Sequence, residues 1–224
     1  MEPVFSSRIS IKWGEQEPHE DTNTWVLTAG NGKFVDARID LKTNIPQWLI
    51  TGEEQEIPTK DGYEFSLKFV HELDSVHGND PERSADFGHF KSLTYSSRLE
   101  EGEMYNVSEE RVMTYKEIWQ TIDPIRSSTD HLVPVESDIY DGSSVTSIVW
   151  ELSDDAKNNA RGRLISIGKV SQGIVEYNGL FQCIRTWNNS VVYQYGSHVE
   201  EIFGQFMKGL STHNSQFPWQ RTYP

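Results

Sequence analysis

Short runs in which apolar and polar residues strictly alternate recur along this chain, and they constrain its fold more than any other feature. In GYEFSLKFVHELDS, Tyr63, Phe65, Leu67, Phe69, His71 and Leu73 share one face, while Glu64, Ser66, Lys68 and Glu72 share the other. A period of two over about ten residues reads as a half-buried strand. SRISIKW places Ile9, Ile11 and Trp13 together, and GKFVDARIDL sets Val35, Ala37, Ile39 and Leu41 against Phe34, Asp36, Arg38 and Asp40. NTWVLTAG and PQWLITG are short strand-like runs, and GNG, YNG and NNS supply turn signals between runs. GHFKSLTYSSRL and GEMYNV read as a hairpin.

One stretch breaks the pattern. ERVMTYKEIWQTIDP places Val112, Tyr115, Ile118, Trp119 and Ile122 at helical spacing and stops at Asp123-Pro124, with Ser108 available as an N-cap. The spacing predicts an aromatic helix. IRSSTDHLVP then reads as a linker. SVTSIVWELS, GRLISIGKVSQGIVEY and FQCIRTWNNSVVYQYGS form a second set of strands. HVEEIFGQFMKGL is amphipathic through Val199, Ile202, Phe203, Phe206 and Met207, which predicts a second helix. The plan is strands then helix, twice. It predicts an all-β protein of two small antiparallel barrels, each with a short helix, divided into residues 1–124 and 125–224. The first helix is expected to cover the mouth of the first barrel.

Charge and composition exclude several classes. With a net charge of −14 and no Lys/Arg run, the surface repels nucleic acid. No apolar run is long enough to span a bilayer. The first residues, MEPVFSSRIS, have neither the basic start nor the apolar core of a signal peptide, and Cys183 is alone, so a cytoplasmic setting is expected. There is no Gly-rich phosphate loop, no G-x-S-x-G and no H-E-x-x-H. His71 and His77 lie six apart across a strand end, so a metal site would need convergence from distant parts of the chain; no metal and no cofactor are expected.

Several residues could carry chemistry. His71 shares a face with Phe65, Leu67 and Phe69. It either turns its polar tip to water at the strand end or sits neutral in an apolar cavity, ready to move a proton. His89, Lys91, Leu93 and Tyr95 share a face that points either to solvent or inward. Asp36 and Arg38 read as an outer-surface pair. The abundant aromatics either fill the core or line a ligand cavity through Trp25, Trp48, Phe65, Phe69, Tyr95, Tyr105 and Trp119. In the cavity reading, His71 transfers the proton and Tyr95 or Tyr105 holds the substrate oxygen.

YKEIWQTIDP, the meander with GKFVDARI and PQWLITG, and the later ISIGKVSQGIVEYNG also resemble the fungal Hri protein family. The resemblance implies two stacked lipocalin-like barrels. It also implies two functional directions. One is noncatalytic protein interaction. The other is that of related fungal natural-product enzymes, hetero-Diels–Alderases that work without a cofactor. The leading expectation is an enzyme that binds a hydrophobic small molecule of the polyketide or terpenoid class, and a lipocalin-like carrier is the third reading. A homodimer is left open. The separating observation is whether a barrel is hollow and which polar side chains point into it.

Overall fold

The computed structural model describes residues 1–78, 85–106, 108–137, 142–155, 159–207 and 217–224. The first half is built of β1 (Val4–Trp13), β2 (Thr22–Thr28), β3 (Lys33–Asp40), β4 (Pro46–Ile57), β5 (Phe65–Asp74), β6 (Ala85–Ser92), β7 (Ser97–Asn106) and β8 (Arg111–Thr121). Each strand pairs antiparallel with the next, and β8 returns to β1, so the sheet closes into an eight-stranded barrel without free edges.

The expected aromatic helix is strand β8. Tyr115 pairs with Gly102 on β7 and with Trp13 on β1. Tyr115, Glu117 and Trp119 are buried, while Thr114 and Lys116 are exposed. The true period is therefore two. Glu117 occupies an inward position, so a search for apolar residues alone misses the alternation and finds a helical spacing instead. Val112, Thr114, Ile118 and Thr121 are β-branched and suit a strand.

The second half is β9 (Ser147–Asp155), β10 (Ala160–Ile167), β11 (Val170–Tyr177), β12 (Leu180–Trp187), β13 (Ser190–Tyr195) and β14 (Gln220–Tyr223). Among the described residues it forms a six-stranded sheet in the order β13-β12-β11-β10-β9-β14, not the second closed barrel that was expected. The β11–β12 and β12–β13 hairpins turn on Asn178-Gly179 and Asn188-Asn189, all with positive φ, as two-residue hairpin loops require. The second expected helix is present but short. α1 (Val199–Phe203) runs into a 3-10 turn at Gly204–Phe206 and buries Val199, Ile202 and Phe203 against Leu164, Val175 and Ile184.

The other face of this sheet meets the barrel wall. Trp25, Leu27, Val35, Ala37 and Ile39 of β2 and β3 share one core with Val149, Ile165, Ile174, Cys183 and Trp187. The outer face of β3 is therefore its dry face, and Phe34, Asp36 and Arg38 turn into the barrel. This overturns the reading of Asp36 and Arg38 as an outer-surface pair. Buried side chains stitch the seam. Arg163 Nη1 donates to the Gly52 carbonyl at 2.6 Å, Gln172 Nε2 to the Val35 carbonyl at 2.9 Å, and Arg185 Nη2 to the Ala37 carbonyl at 2.6 Å.

Candidate functional site

The barrel is hollow. A cavity of about 270 Å³ opens at the end where β1, β5 and β7 begin and β2, β4 and β8 finish. Val26, Ile50, Leu67, Phe69, Phe90 and Met104 form much of its apolar wall. Its volume lies near the lower end of ordinary ligand sites, which are mostly apolar with a few convergent polar groups.

The polar groups fall into three sets. In the first, Arg8 Nη1 donates to Glu117 Oε1 at 2.6 Å and Arg8 Nε to Glu20 Oε2 at 2.7 Å. Arg38 Nη2 donates to Asp36 Oδ2 at 2.8 Å, and its guanidinium lies 4.5 Å from the centre of the Trp48 ring. Burial works against both charges, but Glu117 beside Arg8, and Asp36 and Glu117 beside Arg38, outweigh it and hold both arginines above their ordinary range.

The second set is centred on Asp74. His71 Nδ1 donates to Asp74 Oδ2 at 2.8 Å, and His71 Nε2 lies 3.4 Å from Asp86 Oδ2. Burial disfavours the imidazolium, but the bonds to Asp74 and Asp86 prevail and raise its pKa to about 9. Of the two readings of His71, neither the water-facing tip nor the neutral imidazole anticipated these carboxylate partners, which favour the charged form. The apolar strand face carried no sign of two carboxylates meeting His71, Asp74 from the end of its own strand and Asp86 from the next. Asp74 is held down to about 2: burial opposes ionisation, but the bonds from His71 and from the His77 and Val76 amides outweigh it. Trp48 Nε1 also donates to Asp74 Oδ1 at 2.8 Å, and His77 Nδ1 to Asp74 Oδ2 at 3.0 Å. His71, Asp74 and His77 thus present three ligand-type atoms within 4.8 Å of one another, so convergence here is local and needs no distant chain.

The third set is Glu100 with Tyr115. Tyr115 Oη donates to Glu100 Oε1 at 2.6 Å. Burial, then the nearby Glu117, pushes the Glu100 carboxyl well above the usual range. Gly88 and Gly102 make room for the pair, because a Cβ would stand 2.6 Å from Glu100 Oε1 at Gly88 and 2.8 Å from Tyr115 Oη at Gly102. Arg98 also lines the cavity, donating to Ser6 Oγ at 2.9 Å and Thr121 Oγ1 at 3.2 Å. Two buried atoms of lining residues, Asp36 Oδ1 and Trp119 Nε1, have no partner among the described residues.

The cavity gathers His71, Phe65, Phe69 and Trp119 from the residues expected at a site. Trp48 lies inside the barrel but faces a pocket at the opposite end, which Tyr105 also lines. Tyr105 stands edge-on to His77, 5.5 Å between ring centres, away from the cavity. Tyr95 sits in the β6–β7 turn and is 61% exposed, because the hairpin turns earlier than its apolar pattern suggested. Trp25 is on the outer wall, 6.4 Å from Trp187. Arg98, Glu100, Tyr115, Asp86 and Glu117 went unrecognised as cavity residues. The available signal was the two-residue period in SRLEEGEMYN, which puts Arg98, Glu100 and Met104 on one face.

Among the described residues, no helix is long and apolar enough to cross a membrane. No curated protein sequence matches the chain. The crystal structure of the uncharacterized protein YLR301w from Saccharomyces cerevisiae is similar in fold, with a TM-score of 0.77 at 20% identity over 100% of both chains. The family described as Protein HRI1 matches over residues 4–220. The chain, with its closed barrel and docked second sheet, belongs to the HRI1 family.

Proposed function

We propose that the barrel binds a small hydrophobic molecule bearing a polar group, of the polyketide or terpenoid class, and that the site supports cofactor-free cyclisation or dehydration of it. The observation that carries this reading is the hollow interior, with apolar walls and ionisable groups in one cavity. A barrel packed solid with side chains would have favoured the interaction protein. A pericyclic or dehydrating reaction needs no nucleophile and no metal. It needs two reacting groups held in register and a donor for the oxygen that gains charge.

Glu100 is the donor we assign, with His71 as a nearby positive charge. A carboxyl kept neutral by burial and by Glu117 can protonate a leaving hydroxyl or hydrogen-bond a developing enolate. The His71 imidazolium is engaged by Asp74 and Asp86, so its role is electrostatic rather than that of a base.

Native mass spectrometry with a panel of hydrophobic polyketide and terpenoid candidates tests the binding, and product analysis tests the chemistry. Leu67→Trp, which fills the cavity, abolishes both while the protein stays folded. Retention of every ligand by Leu67→Trp would place binding elsewhere. Tight binding without turnover would leave a carrier.

A further inference from the structure

We infer that the molecule taken up by the barrel carries a carboxylate or a comparable anionic group, and that Arg98 is its anchor. This rests on the proposed binding site and names the chemistry of its ligand.

Arg98 is the second residue of β7 and stands opposite Trp119 in the ladder, at the open end of the cavity. A guanidinium has five N–H donors. Here Nη2 gives one to Ser6 Oγ and Nη1 one to Thr121 Oγ1, and among the described residues no carboxylate lies within 4.0 Å. Arg98 is half-buried, and the other arginines set into the fold are committed. Arg8 pairs with Glu20 and Glu117, Arg38 with Asp36, and Arg163 with Glu72 and Glu151. Arg185 has no carboxylate, but Gln172, Asn23 and the Ala37 carbonyl take its donors. Arg98 alone in this group keeps a free edge, and it keeps it beside a cavity.

The neighbouring carboxyls do not fill that edge. Glu54 accepts from Thr28 Oγ1 at 2.7 Å and Glu100 from Tyr115 Oη at 2.6 Å, so each is drawn to a hydroxyl and not to Arg98. Burial raises the pKa of both carboxyls and lowers that of Arg98, and the pull of Glu54 and Glu100 on Arg98 does not offset its burial, so the guanidinium stays without a bonded counter-charge. A guanidinium facing an apolar wall with unused donors is costly unless an acceptor meets it, and the planar fork suits a carboxylate held by two parallel bonds.

The surroundings describe the rest of the ligand. The Arg98 guanidinium lies 5.9 Å from the Phe90 ring centre, and Phe65 stacks on Phe90 with ring centres 4.6 Å apart and planes 7° apart. An acid bound at Arg98 would lay its apolar body along this flat wall toward Leu67, Phe69 and Val26. The cavity of about 270 Å³ limits that body to a short chain or a small ring.

Binding of octanoate and of 1-octanol, compared by calorimetry at pH 7.5, tests the inference. The wild-type chain is expected to bind octanoate at least about tenfold more tightly than octanol. Arg98→Gln should bind the two about equally, and Leu67→Trp should bind neither. If Arg98→Gln does not fold, Arg98→Lys reads the same point: charge is kept, the fork is lost, and octanoate alone weakens severalfold. Equal affinities in the wild type, or an acid preference that survives in Arg98→Gln or is undiminished in Arg98→Lys, overturns the role of Arg98 and leaves the cavity reading standing. Binding of neither probe to the wild-type chain overturns this inference for compact acids. If the polyketide and terpenoid panel also fails to bind, the binding reading itself falls.

Discussion

Glu100 and Glu117 stand directly opposite each other on β7 and β8, both line the barrel cavity, and only Glu117 has an arginine. Two carboxyls at cross-strand distance cannot both ionise cheaply. Arg8 takes the charge of Glu117, so Glu100 keeps its proton. A carboxyl whose folded pKa is raised costs stability as pH climbs from its unfolded value toward the folded one. Glu100→Gln keeps an acceptor for Tyr115 and removes that cost. The variant is expected to gain about 1–3 kcal/mol at pH 8 and much less at pH 4. Urea denaturation at the two pH values checks it, and an equal effect at both would show that Glu100 is ionised in the folded barrel.

His71 gives a second pH dependence. Its folded pKa of about 9 lies above the ordinary 6.5. Its contribution is fully present below 6.5 and is lost as pH rises through about 9. The shift corresponds to roughly 3 kcal/mol. The melting temperature of His71→Gln should therefore depend less steeply on pH between 6.5 and 9 than that of the wild type. Parallel curves would mean that His71 is neutral. Asp74, held to about 2, works in the other direction: its contribution is present above the usual carboxylate range and is lost only in strong acid.

Arg163 reaches from β10 to the Gly52 carbonyl, Glu72 and Glu151 in a buried seam. Arg163→Met leaves the buried Gly52 carbonyl unmatched, while Glu151 keeps Lys33 and Glu72 is half-exposed, and it should cost about 1–3 kcal/mol. The core shared by the barrel and the second sheet predicts that both halves still unfold in one transition. Two transitions in the wild type by fluorescence and circular dichroism would show that the seam does not couple them.

We propose that the two units divide as residues 1–124 and 125–224. Limited proteolysis should cut between about residues 125 and 142, where Pro, Ser and Asp cluster. The shared core predicts that the two fragments stay together on size exclusion. First cuts within β5 or β11 would remove this division.

Asp74 already accepts bonds from Trp48, His71, His77 and two backbone amides, so its carboxylate is fully engaged without an ion, although the buried His77 Nε2 has no partner among the described residues. Metal binding at Nδ1 of His71 would also have to displace a proton held to about pH 9. A chelator should leave the melting temperature unchanged. A saturable, stoichiometric rise on adding zinc would make this group a metal site.

Much of this architecture was legible in the chain. The period of two in FSLKFVH placed Phe65, Leu67, Phe69 and His71 on one face, and all four line the cavity. Asn-Gly and Asn-Asn marked hairpin turns because they tolerate positive φ. What misled was charge. Glu117 inside β8 disguised a strand as a helix, and Glu100 fell in the turn expected between GHFKSLTYSSRL and GEMYNV.

Local sequence determined that strands form and that each has two faces. Which face looks inward was decided by tertiary structure. The second sheet docks on β2 and β3 and covers Val35, Ala37 and Ile39, so the dry side of those strands is outside the barrel. Asp36 and Arg38 are then turned into the barrel with Arg8 and Glu117, where each charge finds its partner from a strand distant in sequence or from its own. Alternation fixes the angle between neighbouring side chains, but only the packing of one sheet on another decides which of the two directions is solvent.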